Sequence, residues 1–350
     1  MNKVRVGVIG LGIGRHHIRG YQTHPAAEVV AIADLDEARL DEVAVQYGVS
    51  KRYASGEQML GQETLDIVSV ATPNKFHKSL TVAALEAGCH VLCEKPMAMN
   101  AQEAREMLAA AAKAGKRLMI DFSYRFSEQS QALKAQVESG ILGEVYFART
   151  LWHRRRGLPR FGGWFGQKAL SGGGPLIDLG VHRLDLALWL MGYPQPVWVM
   201  GRTYNPIASA LAAEQGVDYD VEDLAVAMIS FENGATLELE ASWAAHVQEK
   251  EWMETRLFGT QGGLVQRNLN ETYEFEAEIY VDRGGAQFDM KLHPNPRRDP
   301  SLNAMYHFVD SIVHDTPHTA TGKEGLLVME ILDAIYQSAE EGQPVRIARQ

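Results

Sequence analysis

Val4-Arg5-Val6-Gly7-Val8-Ile9-Gly10-Leu11-Gly12-Ile13-Gly14-Arg15-His16-His17-Ile18 is the stretch from which the fold follows. A short β-branched run ends in glycines, and a helix opens directly behind them. Strand, Gly-rich turn and helix N-terminus together make a cradle for a pyrophosphate. The glycines let backbone approach the anion, and free N–H groups and the helix dipole favour its charge. The usual spacing is G-x-G-x-x-G, and here Arg15 stands at the third-glycine position. Either Gly14 serves in a shorter turn, or Arg15 points its side chain outward. Since Gly also marks ordinary tight turns, the turn Gly10, Leu11, Gly12, Ile13 and Gly14 gains weight only from its context.

That context is regular. Val29-Val30-Ala31-Ile32-Ala33 reads as the next strand and ends at Asp34. An acid there, roughly 20 residues beyond the glycines, can hold a ribose 2′-hydroxyl and repels a 2′-phosphate, which favours NAD over NADP. Asp34 and Asp36 also suit a helix cap before the run Glu37 to Tyr47. Asp66 to Ala71 reads as a strand with Thr72-Pro73-Asn74 as its terminal loop. Lys78 to Ala87 reads as a helix stopped by Gly88, and His90-Val91-Leu92 as a buried strand leading into Cys93-Glu94-Lys95-Pro96. Ala101 to Ala114 is a strong helix former, Gly115 stops it, and Arg117 to Phe122 is the last strand of the series. Alternating strands and helices imply a parallel sheet with helices on both faces. Residues 1–122 therefore read as a Rossmann dinucleotide-binding domain.

Beyond 122 the pattern changes. Ser127 to Ser139 reads as a helix and Glu144 to His153 as a long strand, followed by a loop rich in Arg, Gly and aromatics over 154–174. Strands are expected near 196–203, 223–231, 235–243, 252–259 and 273–280, with Asn233-Gly234 as a hairpin turn. Leu237, Leu239, Ala241 and Trp243 alternate with polar residues, which gives one buried face. Leu302 to His314 and Gly325 to Ala339 read as amphipathic helices. Residues 123–350 thus read as an α+β domain around a large open, mainly antiparallel sheet. Such a sheet leaves a face that a second copy could cover, so a homodimer or homotetramer is expected.

Composition narrows the class. Of 350 residues, 46% are hydrophobic and 22% charged, with a net charge of -10, which is ordinary for a globular chain and disfavours nucleic acid or an anionic membrane as partner. Cys89 and Cys93 cannot make a disulfide framework and read as reduced, packed thiols. A strand starts at once after Met1-Asn2-Lys3 and no apolar run spans a bilayer, so a cytoplasmic chain is expected.

Two places carry chemistry. Lys95 stands at the carboxyl end of a buried strand, where open parallel sheets bind ligands, and Pro96 stiffens the backbone that aims it. The second is a helix entered through Gly172-Gly173-Gly174-Pro175, with Asp178, His182 and Asp185 at i, i+4 and i+7, on one face of an otherwise apolar element. A titratable stripe on a buried helix is costly unless paired or used. No Cys or second His accompanies it, so no metal is expected.

With these residues in view, the sequence resembles the Gfo/Idh/MocA family of NAD(P)-dependent oxidoreductases. The matching pieces are Gly10-Leu11-Gly12 with Asp34, Ala71-Thr72-Pro73-Asn74 with His77, and Ala87-Gly88 leading to Glu94-Lys95-Pro96. Tyr124-Arg125-Phe126, Ser171 to Gly174, Asp178-x-Gly180-x-His182-x-x-Asp185, Gly325-Leu326 and Ala334 to Ser338 also match. The resemblance implies hydride transfer between a secondary alcohol of a sugar, inositol or related polyol and the nicotinamide of NAD. It makes His182 the general base, Lys95 the group that stabilises alkoxide charge, and Asp178 the residue that orients substrate. Glu94 would sit near the nicotinamide ribose, Thr72, Pro73, Asn74 and His77 would line the dinucleotide, and the Lys95–Pro96 bond is expected to be cis. Tyr124 and Trp164 would wall the substrate. Arg154-Arg155-Arg156 is either a solvated run or a sign of an acidic sugar. Relatives that use NAD transiently to cleave glycosides, and non-enzymatic dinucleotide-binding sensors, are the alternatives. The presence of Lys95, Asp178 and His182 together disfavours the sensor.

Overall fold

The computed structural model describes residues 3–293 and 302–348. Two compact units divide the chain after Ser123, and the described residues 302–329 return to the first unit.

The first unit runs β1 (Val4–Ile9), α1 (Gly14–Gln22), β2 (Ala27–Ala33), α2 (Glu37–Tyr47), β3 (Lys51–Tyr53), α3 (Gly56–Gln62), β4 (Ile67–Val70), α4 (His77–Glu86), β5 (His90–Cys93), α5 (Ala101–Ala114) and β6 (Leu118–Ile120). The six strands lie in the order β3-β2-β1-β4-β5-β6, and every pairing is parallel. Val6, Val8, Ile67, Val68, Val70, Val91, Leu92 and Cys93 are all fully buried. A parallel sheet covered on both faces has no polar side, so its strands read as continuous apolar runs. The strand order reverses between β1 and β4, which leaves a crevice at their carboxyl ends. Asp36 and Asn100 cap α2 and α5 by accepting the N–H of Arg39 and Glu103, and left-handed Gly48 and Gly115 end the same helices. Cys89 and Cys93 are free, buried thiols. The β3–α3 pair was not read from sequence, because three residues, two of them exposed, carry no periodicity.

The second unit contains α6 (Glu128–Glu138), β7 (Val145–Arg154), α7 (Lys168–Ser171), a π-helical turn over Leu176–Gly180, α8 (Val181–Leu190), β8 (Pro196–Tyr204), α9 (Pro206–Glu214), β9 (Leu224–Phe231), β10 (Thr236–Ser242), β11 (Glu251–Gly259), β12 (Gly262–Asn268), β13 (Phe275–Arg283) and β14 (Ala286–Lys291). Then come α10 (Ala304–Val313), α11 (Gly322–Glu341) and β15 (Val345–Arg346), of which α10 belongs to the first unit and α11 spans the division at Met329. The nine strands lie in the order β14-β13-β12-β11-β7-β10-β9-β8-β15. All neighbours are antiparallel except β7 and β10, which run parallel. Asn233 and left-handed Gly234 turn β9 into β10 as expected. Leu237, Leu239, Ala241 and Trp243 are buried on the face that carries α8 and the π-helical turn.

The sequence reading placed everything after 122 in the second domain, whereas α10 packs on the first unit. A Cβ at Gly20 of α1 would sit 2.9 Å from Asn303 Oδ1 and Met305 Sδ, so the missing side chain is what lets these helices close. Arg117 fixes the same region by donating to the Ser311 carbonyl at 2.6 Å and pairing with Asp315.

Candidate functional sites

In the first unit the glycine turn is set by close approach. Gly10 has φ +86°, and a Cβ there would lie 2.4 Å from the Ala71 carbonyl oxygen, so β1 and β4 can meet only through a glycine. Around Gly12 a Cβ would meet nothing within 4 Å, and Gly14 packs against Val8 and Ala71. Arg15 turns outward: its guanidinium forms a two-pronged pair with Glu42 at 2.9 and 3.0 Å and donates to the Leu11 carbonyl. Ile13 is half exposed.

Asp34 ends β2 with its carboxylate turned to the turn. Oδ2 accepts the Leu11 N–H at 2.7 Å, Oδ1 accepts the Asp36 N–H, and Arg39 lies 3.3 Å away. At the end of β4, Thr72 and Pro73 are half-buried and Asn74 is buried. The Thr72 hydroxyl is buried with no hydrogen-bond partner among the described residues. An open glycine turn, an orphaned hydroxyl and an acid at the end of β2 all converge on the switch crevice. These are the features a dinucleotide requires, so the residues fit that group. His77 is fully buried, bonding Pro96 O at 2.7 Å and Thr72 O at 2.8 Å, and so ties the loops after β4 and β5 together.

Lys95 follows β5 and is half-buried, and the Lys95–Pro96 bond is cis as expected. Glu94 is buried. Its Oε1 meets His17 Nε2 at 2.9 Å and its Oε2 accepts the Lys95 backbone N–H at 3.1 Å. Asp121, beyond β6, lies 3.4 Å from the same His17 nitrogen. The ligand atoms of His17, Glu94 and Asp121 lie within 4.8 Å of one another, a grouping the sequence reading did not see.

In the second unit, every residue from 173 to 190 is buried except Asp178 and His182. Asp185, expected on the same face, is buried instead, and a π-helical turn, a device common at functional sites, replaces the start of a regular helix. Asp178 Oδ2 accepts the Trp243 indole N–H at 3.0 Å. His182 stands edge-on to Tyr124 at 5.0 Å between ring centroids and near Trp152 at 5.8 Å. Burial pushes the Tyr124 hydroxyl up to about 12, so it stays a neutral donor at ordinary pH. Trp164 is half-buried and stacks on Phe165 at 3.8 Å.

Close packing places this element. A Cβ at Gly173 would overlap the Tyr336 hydroxyl, and one at Gly174 the Glu222 carbonyl. The buried Glu222 carboxylate accepts the Gly174 and Leu176 N–H groups at 2.9 and 3.1 Å and the Tyr336 hydroxyl at 2.9 Å. Glu222 was not singled out in the sequence, and Trp243 was read only as part of the buried face of its strand. Asp185 is elsewhere engaged: Arg125 grips it with Nε at 2.9 Å and Nη2 at 2.6 Å, both side chains being buried. Arg154 turns to Glu251 at 2.9 Å. Burial opposes its charge, and the carboxylate outweighs burial. Arg155 and Arg156 are exposed.

Comparison with known proteins identifies the family. A model of an oxidoreductase family's NAD-binding Rossmann fold, Gfo/Idh/MocA, matches residues 4–122, and that family's C-terminal alpha/beta domain matches 134–347. The chain is 35% identical over 353 residues to D-glucoside 3-dehydrogenase of Escherichia coli, covering 98% of this chain and 97% of that protein. It superposes on aldose-aldose oxidoreductase from Caulobacter crescentus with a TM-score of 0.84 at 26% identity, over 99% and 100% of the two chains. GenD2 from gentamicin A biosynthesis, solved in complex with NAD, gives a TM-score of 0.82 at 26% identity, over 100% and 97%. Among the described residues no helix is long and apolar enough to cross a membrane.

Proposed function

The chain belongs to the Gfo/Idh/MocA oxidoreductase family, and we propose that it oxidises a secondary alcohol of a sugar, inositol or related polyol, or reduces the corresponding ketone. The observation that carries this reading is that Asp178 and His182 alone are half-buried in a run that is otherwise buried from 173 to 190. When bound, NAD supplies the hydride acceptor at nicotinamide C4. The chain's own residues then have separate tasks. Gly10, Leu11, Gly12, Ile13 and Gly14 receive the pyrophosphate, Asp34 takes the ribose hydroxyl, and Thr72, Pro73 and Asn74 border the dinucleotide, with His77 holding that loop to Pro96. Glu94 supports the nicotinamide end through Lys95.

His182 takes the hydroxyl proton at a ring nitrogen, as suits a base whose ordinary value lies near neutrality. Lys95 donates a hydrogen bond to the substrate oxygen as negative charge grows on it. Asp178, fixed by the Trp243 N–H, accepts a neighbouring hydroxyl and so sets which carbon is presented. Tyr124 and Trp164 offer ring faces and edges to sugar C–H surfaces. Arg154 is paired with Glu251 and Arg155 and Arg156 are exposed, so this run adds no support for an acidic sugar. A panel of sugars, inositols, sugar acids and aryl glycosides, read both as NADH absorbance and as released aglycone, tests the reading. Stoichiometric NADH from a neutral polyol supports it. Aglycone release without net NADH would assign glycoside cleavage instead.

We also infer that the outer face of the nine-stranded sheet is covered by a second copy. Phe147 and Phe258 pair there at 5.4 Å, Met228 is 41% exposed, and the charges beside them are paired within the sheet, Arg149 with Glu240 and Arg256 with Glu254. Charge already neutralised around exposed apolar groups suits a self-complementary contact. Light scattering reading a monomer mass for the chain would refute it.

A further inference from the structure

Behind Glu94 and Lys95 lies a polar cluster that none of the tasks above uses. His17 of α1 is 1% exposed, Ser69 of β4 and Tyr21 of α1 are 0%, Glu94 is 8% and Asp121 is 6%. Through Nδ1 His17 meets Ser69 Oγ at 2.9 Å, and Ser69 Oγ meets the Tyr21 hydroxyl at 2.9 Å. Through Nε2 it meets Glu94 at 2.9 Å and Asp121 at 3.4 Å. Glu94 completes the chain by accepting the Lys95 backbone N–H. Buried charges persist only when paired. Here His17 meets Glu94 and Asp121, and the Lys95 charge acts on both carboxylates, so each acid has a basic group beside it. The other titratable groups packed on it are His77, which faces Glu94, and the thiol of Cys93, which burial keeps neutral.

We propose that His17 and Asp121 are positioning residues for Lys95: His17 locks the Glu94 carboxylate onto the Lys95 N–H and so aims the side chain, while Asp121 sets the charge that the Lys95 ammonium faces. The inference rests on the reading of Lys95 given above. Two further observations support it. Asp121 Oδ1 is buried with no hydrogen-bond partner among the described residues, which an ionised carboxylate tolerates poorly. Burial, and then the Glu94 charge, push its carboxyl up to about 7. Burial opposes the charge of His17, but the Glu94 hydrogen bond and charge outweigh it and raise His17 above its ordinary value. Near neutrality, therefore, Asp121 exchanges a proton while Glu94 stays ionised.

The test uses the full chain and two independent readouts. Competitive acetylation of Lys95, read by peptide mass spectrometry across pH, needs neither substrate nor NAD. Asp121→Asn removes a carboxylate that is ionised where lysine titrates, so the labelling midpoint moves to lower pH by about half a unit or more. For turnover, His17→Leu lowers kcat roughly tenfold or more with NADH affinity within about threefold of wild type, and His17→Gln, which keeps a donor at the Nε2 position, recovers most of it. In a Lys95→Ala background His17→Leu costs nothing further, because it acts through Lys95. An unmoved labelling midpoint, or an undiminished cost of His17→Leu without Lys95, overturns the inference. Wild-type turnover by Lys95→Ala itself would instead remove the reading of Lys95 on which it stands. Melting curves for His17→Gln and Asp121→Asn, both close in shape to the native side chains, confirm that folded protein is compared.

Discussion

Trp243 donates its indole N–H to Asp178 Oδ2 at 3.0 Å, joining the end of β10 to the π-helical turn across 65 residues of sequence. One carboxylate oxygen is thereby committed to the protein. Trp243→Phe keeps the packing and removes the donor. A hydrogen bond to a charged acceptor is worth about 1.5–3 kcal/mol, so kcat/KM on the preferred polyol falls roughly tenfold or more, with melting little changed. Steady-state kinetics beside a melting curve check this, and unchanged kcat/KM would show that Asp178 is not used in turnover.

Arg125 and Asp185 form a two-pronged pair at 0% and 1% side-chain exposure, with the Tyr193 hydroxyl 2.7 Å from Asp185 Oδ1. Arg125→Ala strands a buried carboxylate and lowers unfolding free energy by about 3–5 kcal/mol. The double variant Arg125→Met/Asp185→Leu recovers part of that loss. Urea denaturation of the three proteins measures both effects.

Asp34 is read as the ribose hydroxyl acceptor, and Arg39 stands beside it at 3.3 Å. Asp34→Ala removes the repulsion of a 2′-phosphate and leaves Arg39 to receive it. The preference for NAD over NADP, measured as a ratio of dissociation constants by nucleotide fluorescence, therefore falls roughly tenfold or more. An unchanged ratio would remove Asp34 from the assignment.

Much of this was legible in the chain because the relevant signals are local. The continuous apolar strands, the glycine turn, Asp34 and the Lys95–Pro96 step each declare themselves within a few residues. What escaped reading depends on distant pairing. His17 is an ordinary first-turn histidine until Ser69 and Glu94, 52 and 77 residues away, close on it. Glu222 is one acid among many until Gly174 and Leu176, 48 and 46 residues earlier, donate to it. Strand β12 opens on Gly262-Gly263 and β14 is largely exposed, so neither shows the alternation that marks a half-buried strand. The return of α10 to the first unit is fixed by the absent side chain of Gly20, which no periodicity announces.

Glu240 predicts a pH dependence of stability. His153, opposed by burial and aided by Arg149, holds its carboxyl down to about 2, below its ordinary 4.5. A group whose folded value is depressed stabilises the fold fully above its unfolded value and loses that contribution as pH falls through the folded one. The melting advantage of wild type over Glu240→Gln is therefore complete at pH 7 and shrinks between about pH 4.5 and 2. Differential scanning calorimetry at steps across that range gives the result, and a gap that stays constant would show Glu240 unpaired in solution.

Lys95 and His182 are the groups proposed to handle the substrate oxygen and its proton. The most direct measurement is NADH formation on the best polyol by wild type, Lys95→Ala and His182→Ala, each first shown to bind NADH. Nucleotide affinity is expected within about threefold of wild type, and turnover reduced at least roughly a hundredfold in both variants, the usual scale of lost acid–base catalysis. Wild-type turnover in either variant would contradict it.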